Sequence, residues 1–336
     1  MKTHTLACLI AGLSLFCRCA LSQTADDYVT QGLNNLAAHD IVDANTSFSQ
    51  ALSLNPNDEN ANALDAITRL LVLPYQSAGS NFLTRIGFPV TERDIYHWTA
   101  ELPKDENGLL LAPDGVSADE FTAQLRTNVL SSVIGAIDNL SLVSDTNFLL
   151  NLTSDETTMS DVAVDYGDLK MIQAGLYASE YFIYTLNAQN LDVQLTAIRA
   201  LYTNGILSAG EVLADYPQLF TFATTNDLQA ARAAFTNAVD YYMIASAFIR
   251  NRPSDEVRLF NYDKVSAANE ADFRLTLQDL KNSLLAGPQI LSVKPNLTVD
   301  MANSVTGTTA LRSLLAKFDG EAVEVGRLPD VTFGGV

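Results

Sequence analysis

From residue 226 to residue 251, apolar side chains recur every three to four residues: Leu228, Ala231, Phe235, Val239, Tyr242, Ala245 and Ile249. That period places them on one stripe of an α-helix and is incompatible with a strand, whose side chains alternate every second residue. Arg250 falls in the last turn and Pro253 supplies the stop. A second stripe runs Phe121, Leu125, Val129, Val133, Ile137 and Leu140, and Ser117-Ala118-Asp119-Glu120 before it reads as a capping box. A third, Phe273, Leu277, Leu280 and Leu284, closes at Gly287-Pro288. Residues 161–186 and 191–202 are further expected helices. A Gly/Pro/Asp-rich interruption occupies residues 102–115, and residues 290–301, rich in Val, Leu and Thr, predict one or two short strands. The expected fold is therefore mainly α, with a strand-containing segment near the C-terminus.

The N-terminus has the grammar of a secretory leader. Lys2 precedes an apolar run over residues 6–16, and Ala20-Leu21-Ser22 is a small-x-small site before Gln23. The run is too short to span a bilayer, which takes about 20 apolar residues. Cys17 and Cys19 would invite acylation, but Phe16 and Arg18 stand where a lipoprotein leader has a small residue. Cys8, Cys17 and Cys19 are the only cysteines, so a chain cut before Gln23 has neither disulfide nor thiolate chemistry. Losing Lys2 and Arg18 from 20 basic residues leaves 18 against 39 acidic ones, a net charge of −21. Such a surface repels nucleic acid and anionic membrane, and no later stretch is apolar enough for a membrane helix. The expectation is an exported protein, periplasmic or extracellular, soluble after cleavage.

Residues 26–56 contain the sharpest motif: Tyr28, Gly32, Ala44, Phe48, Ala51 and Pro56. Gly32 and Ala44 are small where two antiparallel helices must approach, Phe48 fills the groove between them, and Pro56 stops the second helix. This spacing resembles a tetratricopeptide repeat, a 34-residue helix-turn-helix unit. Asn35 stands where that family usually has a large aromatic. Moving on by one repeat length places Ala66 where Gly32 was, inside an expected helix over residues 60–72 that Pro74 ends. The resemblance implies a repeat-like segment over residues 23–73. A lone unit cannot bury its apolar face, so it must dock on a helical body over residues 74–287, with an extended segment over 288–336. Arg93-Asp94-Ile95-Tyr96-His97-Trp98, Asp165-Tyr166-Gly167-Asp168, Arg258-Leu259-Phe260-Asn261-Tyr262-Asp263 and Thr332-Phe333-Gly334-Gly335 also resemble segments of an uncharacterised group of exported bacterial proteins. In that group a short repeat precedes a helical body, and the terminal motif joins further modules.

Three constellations could carry chemistry. Asp161, Asp165 and Asp168, at i, i+4 and i+7, would share one face of a helix. Clustered carboxylates suit a hard cation such as Ca2+, although no calcium-loop signature is present; the alternative is a solvated helix start. Tyr177, Tyr181 and Tyr184 form a second stripe, suited to a partner or ligand face and equally to helix packing. His97, beside the single tryptophan and near Asp94, is the best general-base candidate by elimination, against a half-buried aromatic cluster. No His-Glu-x-x-His, Gly-x-Ser-x-Gly or phosphate-binding glycine loop occurs. No catalytic residue and no cofactor are assigned. The pattern favours a non-enzymatic scaffold that engages a protein or peptide through the repeat and adjacent helices. A ligand-binding component of an uptake system, taking a small molecule, and a carboxylate-dependent hydrolase are the alternatives. A deep apolar pocket, a carboxylate pair in a cleft or an open groove would separate the three.

Overall fold

Thr24 opens the first helix, α1 (Ala25–Ala37), with a reciprocal capping box. Its hydroxyl accepts from the Asp27 amide, and the Asp27 carboxylate accepts from the Thr24 amide at 2.8 Å. The structure, a computed structural model, describes residues 23–157, 160–203, 209–253, 258–262, 264–302 and 312. Residues 1–22, where a leader is expected and all three cysteines lie, and the Thr332-Phe333-Gly334-Gly335 segment are outside the described residues.

His39 takes a left-handed φ of 60° between α1 and α2 (Ile41–Leu54), turning the chain back on itself. Asp40 caps α2 and Asp58 caps α3 (Glu59–Leu71). Consecutive members of this trio pack side by side, as a helical repeat requires. Gly32 is buried against Phe48, which is fully buried; a Cβ at Gly32 would lie 2.3 Å from a ring carbon. Ala44 and Ala51 are fully buried beside it, whereas Tyr28 is half-buried and Pro56 exposed.

The body begins with α4 (Ser77–Arg85) and a short 3-10 turn (Val90–Glu92). Then come α5 (Ala118–Gln124), a π-helical turn (Leu125–Val129) and α6 (Leu130–Leu142). The π turn rotates the apolar stripe, so Phe121 stands 45% exposed while Val133, Ile137 and Leu140 are buried. The capping box expected at Ser117 does not form: its hydroxyl donates to Asp119, and Glu120 instead pairs with Arg85 at 2.6 Å.

Strands β1 (Leu149–Leu152) and β2 (Val162–Asp165) pair antiparallel, flanking a single turn, α7 (Ser154–Thr157). Their register sets Leu150 opposite Val164, both buried. The helix expected from residue 161 therefore starts later, as α8 (Tyr166–Asn187), because the Val-Ala-Val run is captured by a partner strand.

After α9 (Leu195–Thr203) and α10 (Ala209–Asp215), α11 (Asn226–Asn251) lies antiparallel along α8. Ring pairs Tyr166–Phe248, Tyr177–Tyr241 and Tyr181–Phe235 mark the seam, at centroid distances of 5.5, 5.2 and 5.2 Å. A Cβ at Gly167 would sit 2.5 Å from Phe248, so glycine is what permits the close start of this pair. Helix α12 (Lys264–Ala286) leads into β3 (Gln289–Leu291) and β4 (Lys294–Val299), an antiparallel hairpin within the segment where strands were expected.

One apolar core joins the repeat-like helices to the body. It runs from Leu36, Phe48 and Leu64 through Val133, Ile137 and Leu140 to Leu150, Val164 and Leu169. Helix α3 packs on α6, and α1 reaches α7, so the inward face of the N-terminal helices is filled by the rest of the chain. Buried polar groups reinforce the joint. The Asp65 carboxylate accepts from Asn45, Ser49, Arg69 and, across the joint, Asn139 of α6. Lys170 of α8, 5% exposed, donates to the Leu140 and Val143 carbonyls at the end of α6, where a helix dipole favours a cation. Burial lowers its pKa.

Candidate functional site

The three aspartates do not share a helix face. Asp161 precedes β2 and accepts from the Ser154 amide at 2.7 Å. Asp165 and Asp168 form a capping box at the start of α8. They are buried rather than solvated, and their partners are cationic. Arg252 Nη1 stands 2.7 Å from Asp165 and 3.2 Å from Asp168, Arg258 approaches Asp165 at 3.4 Å, and the Phe260 amide donates to Asp168. Desolvation raises the Asp168 pKa above its ordinary 3.8, and the Asp165 charge adds to it; the backbone amides and Arg252 pull it back. The pair locks the end of α11 to the start of α8. Among the described residues, no group of three or more His, Cys, Asp or Glu side chains could hold a metal ion.

The tyrosine stripe lies mostly in the α8–α11 seam. Tyr177 stacks on Tyr241 and Tyr181 meets Phe235 edge-on, while Tyr184 is half-buried. Burial, with Tyr241 beside it, pushes the Tyr177 pKa up to about 12. His97 is exposed, contrary to a half-buried cluster, and its ring nitrogen lies 3.4 Å from Asp94. His39 stacks on Tyr96 at 4.5 Å, tying the α1–α2 turn to this loop.

An apolar cleft lies where the Gly/Pro/Asp-rich stretch interrupts the helical pattern. The cleft, of about 810 Å3, opens between α4, residues 102–113, α5, the end of α8 and α9. Its framework is specific. Val116 and Leu195 are joined backbone to backbone at 3.0 Å, as are Ala118 and Val193 at 2.9 Å, fixing α5 beside α9. Arg85 holds the Gly115 carbonyl and Glu120, fixing α4 beside α5.

Over this frame residues 103–111 fold back as a strap. The Leu111 amide reaches the Pro103 carbonyl, the Asp105 amide reaches the Leu109 carbonyl, and Gly108 turns the tip at φ 77°. Asp105 organises the turn by accepting from the Asn107 and Leu109 amides. The Leu109 amide, with help from Asn107 and Arg199, holds its carboxyl below the ordinary range against some burial. Arg199 of α9 closes the strap, reaching Asp105 at 2.5 Å and the Leu110 carbonyl at 3.1 Å.

The walls are Phe82, Ile86, Leu102, Leu109, Leu110, Leu111, Val116, Phe121, Leu186, Leu191, Leu195 and Ile198, with little else. Thr122 and Arg199 supply the polar side chains among the described lining residues, which include no histidine and no carboxylate. Leu110 is 53% exposed, Leu111 40% and Ile198 37%, unusual for large aliphatic side chains gathered in one place. The size and composition are those of ligand pockets, which span roughly 300–1,000 Å3 and bind chiefly by excluding water.

No family model, curated protein or solved structure matches the chain. No helix among the described residues is long and apolar enough to cross a membrane.

Proposed function

We propose that this chain is an exported, non-catalytic binding protein whose ligand enters the apolar cleft beneath the 103–111 strap. The observation that carries the reading is the cleft itself: about 810 Å3, walled by Leu, Ile, Phe and Val on a hydrogen-bonded frame. Of the readings left open by the sequence, this favours the ligand binder over the peptide scaffold and the carboxylate hydrolase. Helix α3 packs on α6 and α1 reaches α7, so part of the surface of the N-terminal helices is taken up within the chain. In this reading residues 25–71 are one tetratricopeptide-like unit and the first helix of a second. Their role is to complete the core of the body, and the helices adjacent to them supply the ligand walls. Export rests on the leader and the small-x-small site before Gln23.

The test is a titration of Nile red, a neutral apolar dye, into the full chain and a Leu110→Asp variant. Leu110 is exposed enough for the substitution to leave the fold intact. Saturable binding at one site in the parent, weakened at least tenfold by Leu110→Asp, is the expected result. Equal dye binding by both proteins would show that the dye goes elsewhere. Intact mass of the exported protein should place its N-terminus at Gln23, without lipid.

A further inference from the structure

The charged groups near the cleft bear on which apolar ligands it can take. Each basic side chain there already has a carboxylate partner. Arg199 pairs with Asp105, Arg85 with Glu120 and Lys104 with Glu101. Glu106, Asp114 and Asp119 are exposed acids on the strap or its continuation, with no basic partner among the described ion pairs of the rim. These acids neighbour lining residues in sequence, and Arg199, the charged side chain among the described lining residues, already has a carboxylate partner, in a chain whose formal charge is −19. An alkyl chain ending in a carboxylate would bring its charge to this rim, or compete with Asp105 for Arg199. An uncharged head group does not meet that competition.

We propose that the cleft takes an uncharged aliphatic ligand, a long-chain alcohol or a neutral lipid of that kind, and that the Asp105–Arg199 pair is what excludes the corresponding carboxylate. This rests on the cleft being a ligand site. Asp105 has two jobs in the arrangement: its Oδ1 shapes the strap turn and its Oδ2 neutralises the one cation on the walls. Because the walls are aliphatic, affinity should follow chain length, at about fourfold per added methylene until the space is filled.

The experiment displaces Nile red from the full chain with 1-octanol, 1-decanol, octanoate and decanoate at pH 7. The alcohols should bind at least tenfold more tightly than the carboxylates of equal length. The gap should narrow as salt is raised, since the repulsion acts between partly exposed charges. In Asp105→Asn the amide oxygen can still accept from the strap amides, while Arg199 loses that carboxylate and keeps its contact with the Leu110 carbonyl. Decanoate should then tighten at least tenfold and decanol change less than about threefold. Decanoate binding as tightly as decanol to the parent, or an Asp105→Asn variant that leaves decanoate unchanged, would overturn the selectivity and leave the cleft a ligand site. Failure of every alcohol and carboxylate to displace the dye would overturn the ligand site and the selectivity together.

Discussion

Replacing Gly32 by alanine should destabilise the chain even though alanine is the better helix former. In an exposed helix the exchange is worth about 1 kcal/mol in favour of alanine. Here the new Cβ would fall 2.3, 2.6 and 2.7 Å from three carbons of the Phe48 ring. Phe48 is fully buried, so the ring cannot simply swing into solvent, and overpacking of this kind costs about 1–3 kcal/mol. Phe48→Ala alone removes the ring and should cost about 3–5 kcal/mol. In the double variant the methyl at residue 32 finds the vacated space, so the clash vanishes and the propensity gain remains. The two substitutions should therefore couple by about 1–3 kcal/mol, the size of the clash itself, with alanine at 32 helpful only once Phe48 is removed. Urea denaturation of the four proteins, followed by far-UV circular dichroism, measures the cycle. A neutral or stabilising Gly32→Ala with Phe48 present, or simple additivity, would refute the interlocking of α1 and α2.

Two further expectations concern the aspartates. By carbon-13 NMR the Asp168 carboxyl should titrate with a midpoint above 3.8. Because its folded pKa is raised, its contribution to stability is fully present below the unfolded value and is lost as pH rises through the folded one. Relative to Asp168→Asn, the parent should thus gain stability as pH falls towards 3.8; a gain in the opposite direction would contradict its desolvated setting. Secondly, adding calcium or removing divalent ions should leave the melting temperature unchanged, since Asp165 and Asp168 are engaged by Arg252. A bound ion at a hundredfold excess over its Kd would add about 2.7 kcal/mol, a shift of roughly 5–10 °C, and its appearance would contradict the account.

What the sequence made legible follows from how local each signal is. The α11 stripe is one uninterrupted helix, and its C-terminal end falls where Arg250 and Pro253 place it. The Gly32–Phe48 spacing is set by two helices joined by a short turn, so a local pattern reports a tertiary contact. The Val162–Val164 run misled because its strand partner lies ten residues upstream, across a turn that periodicity cannot see. The aspartates misled for a related reason. Their box at the helix start was readable as Asp-x-x-Asp, but the arginines that bury them come from more than eighty residues away. The cleft was hardest, because its walls come from five segments that are far apart in the chain. One local trace existed. Leu109-Leu110-Leu111, between Gly108 and Pro113, is an apolar run in a turn-rich segment, where side chains ordinarily face water.

Methyl NMR of the full chain with labelled isoleucine and leucine, titrated with 1-decanol, tests the ligand-binding account most directly. Saturable shifts should appear at Ile86 and Ile198 and at the strap leucines, while Ile41, Ile137 and Ile249, in the packed core, stay fixed. Unchanged cleft methyls, or shifts centred instead on exposed Ile244 and Ile290, would contradict it.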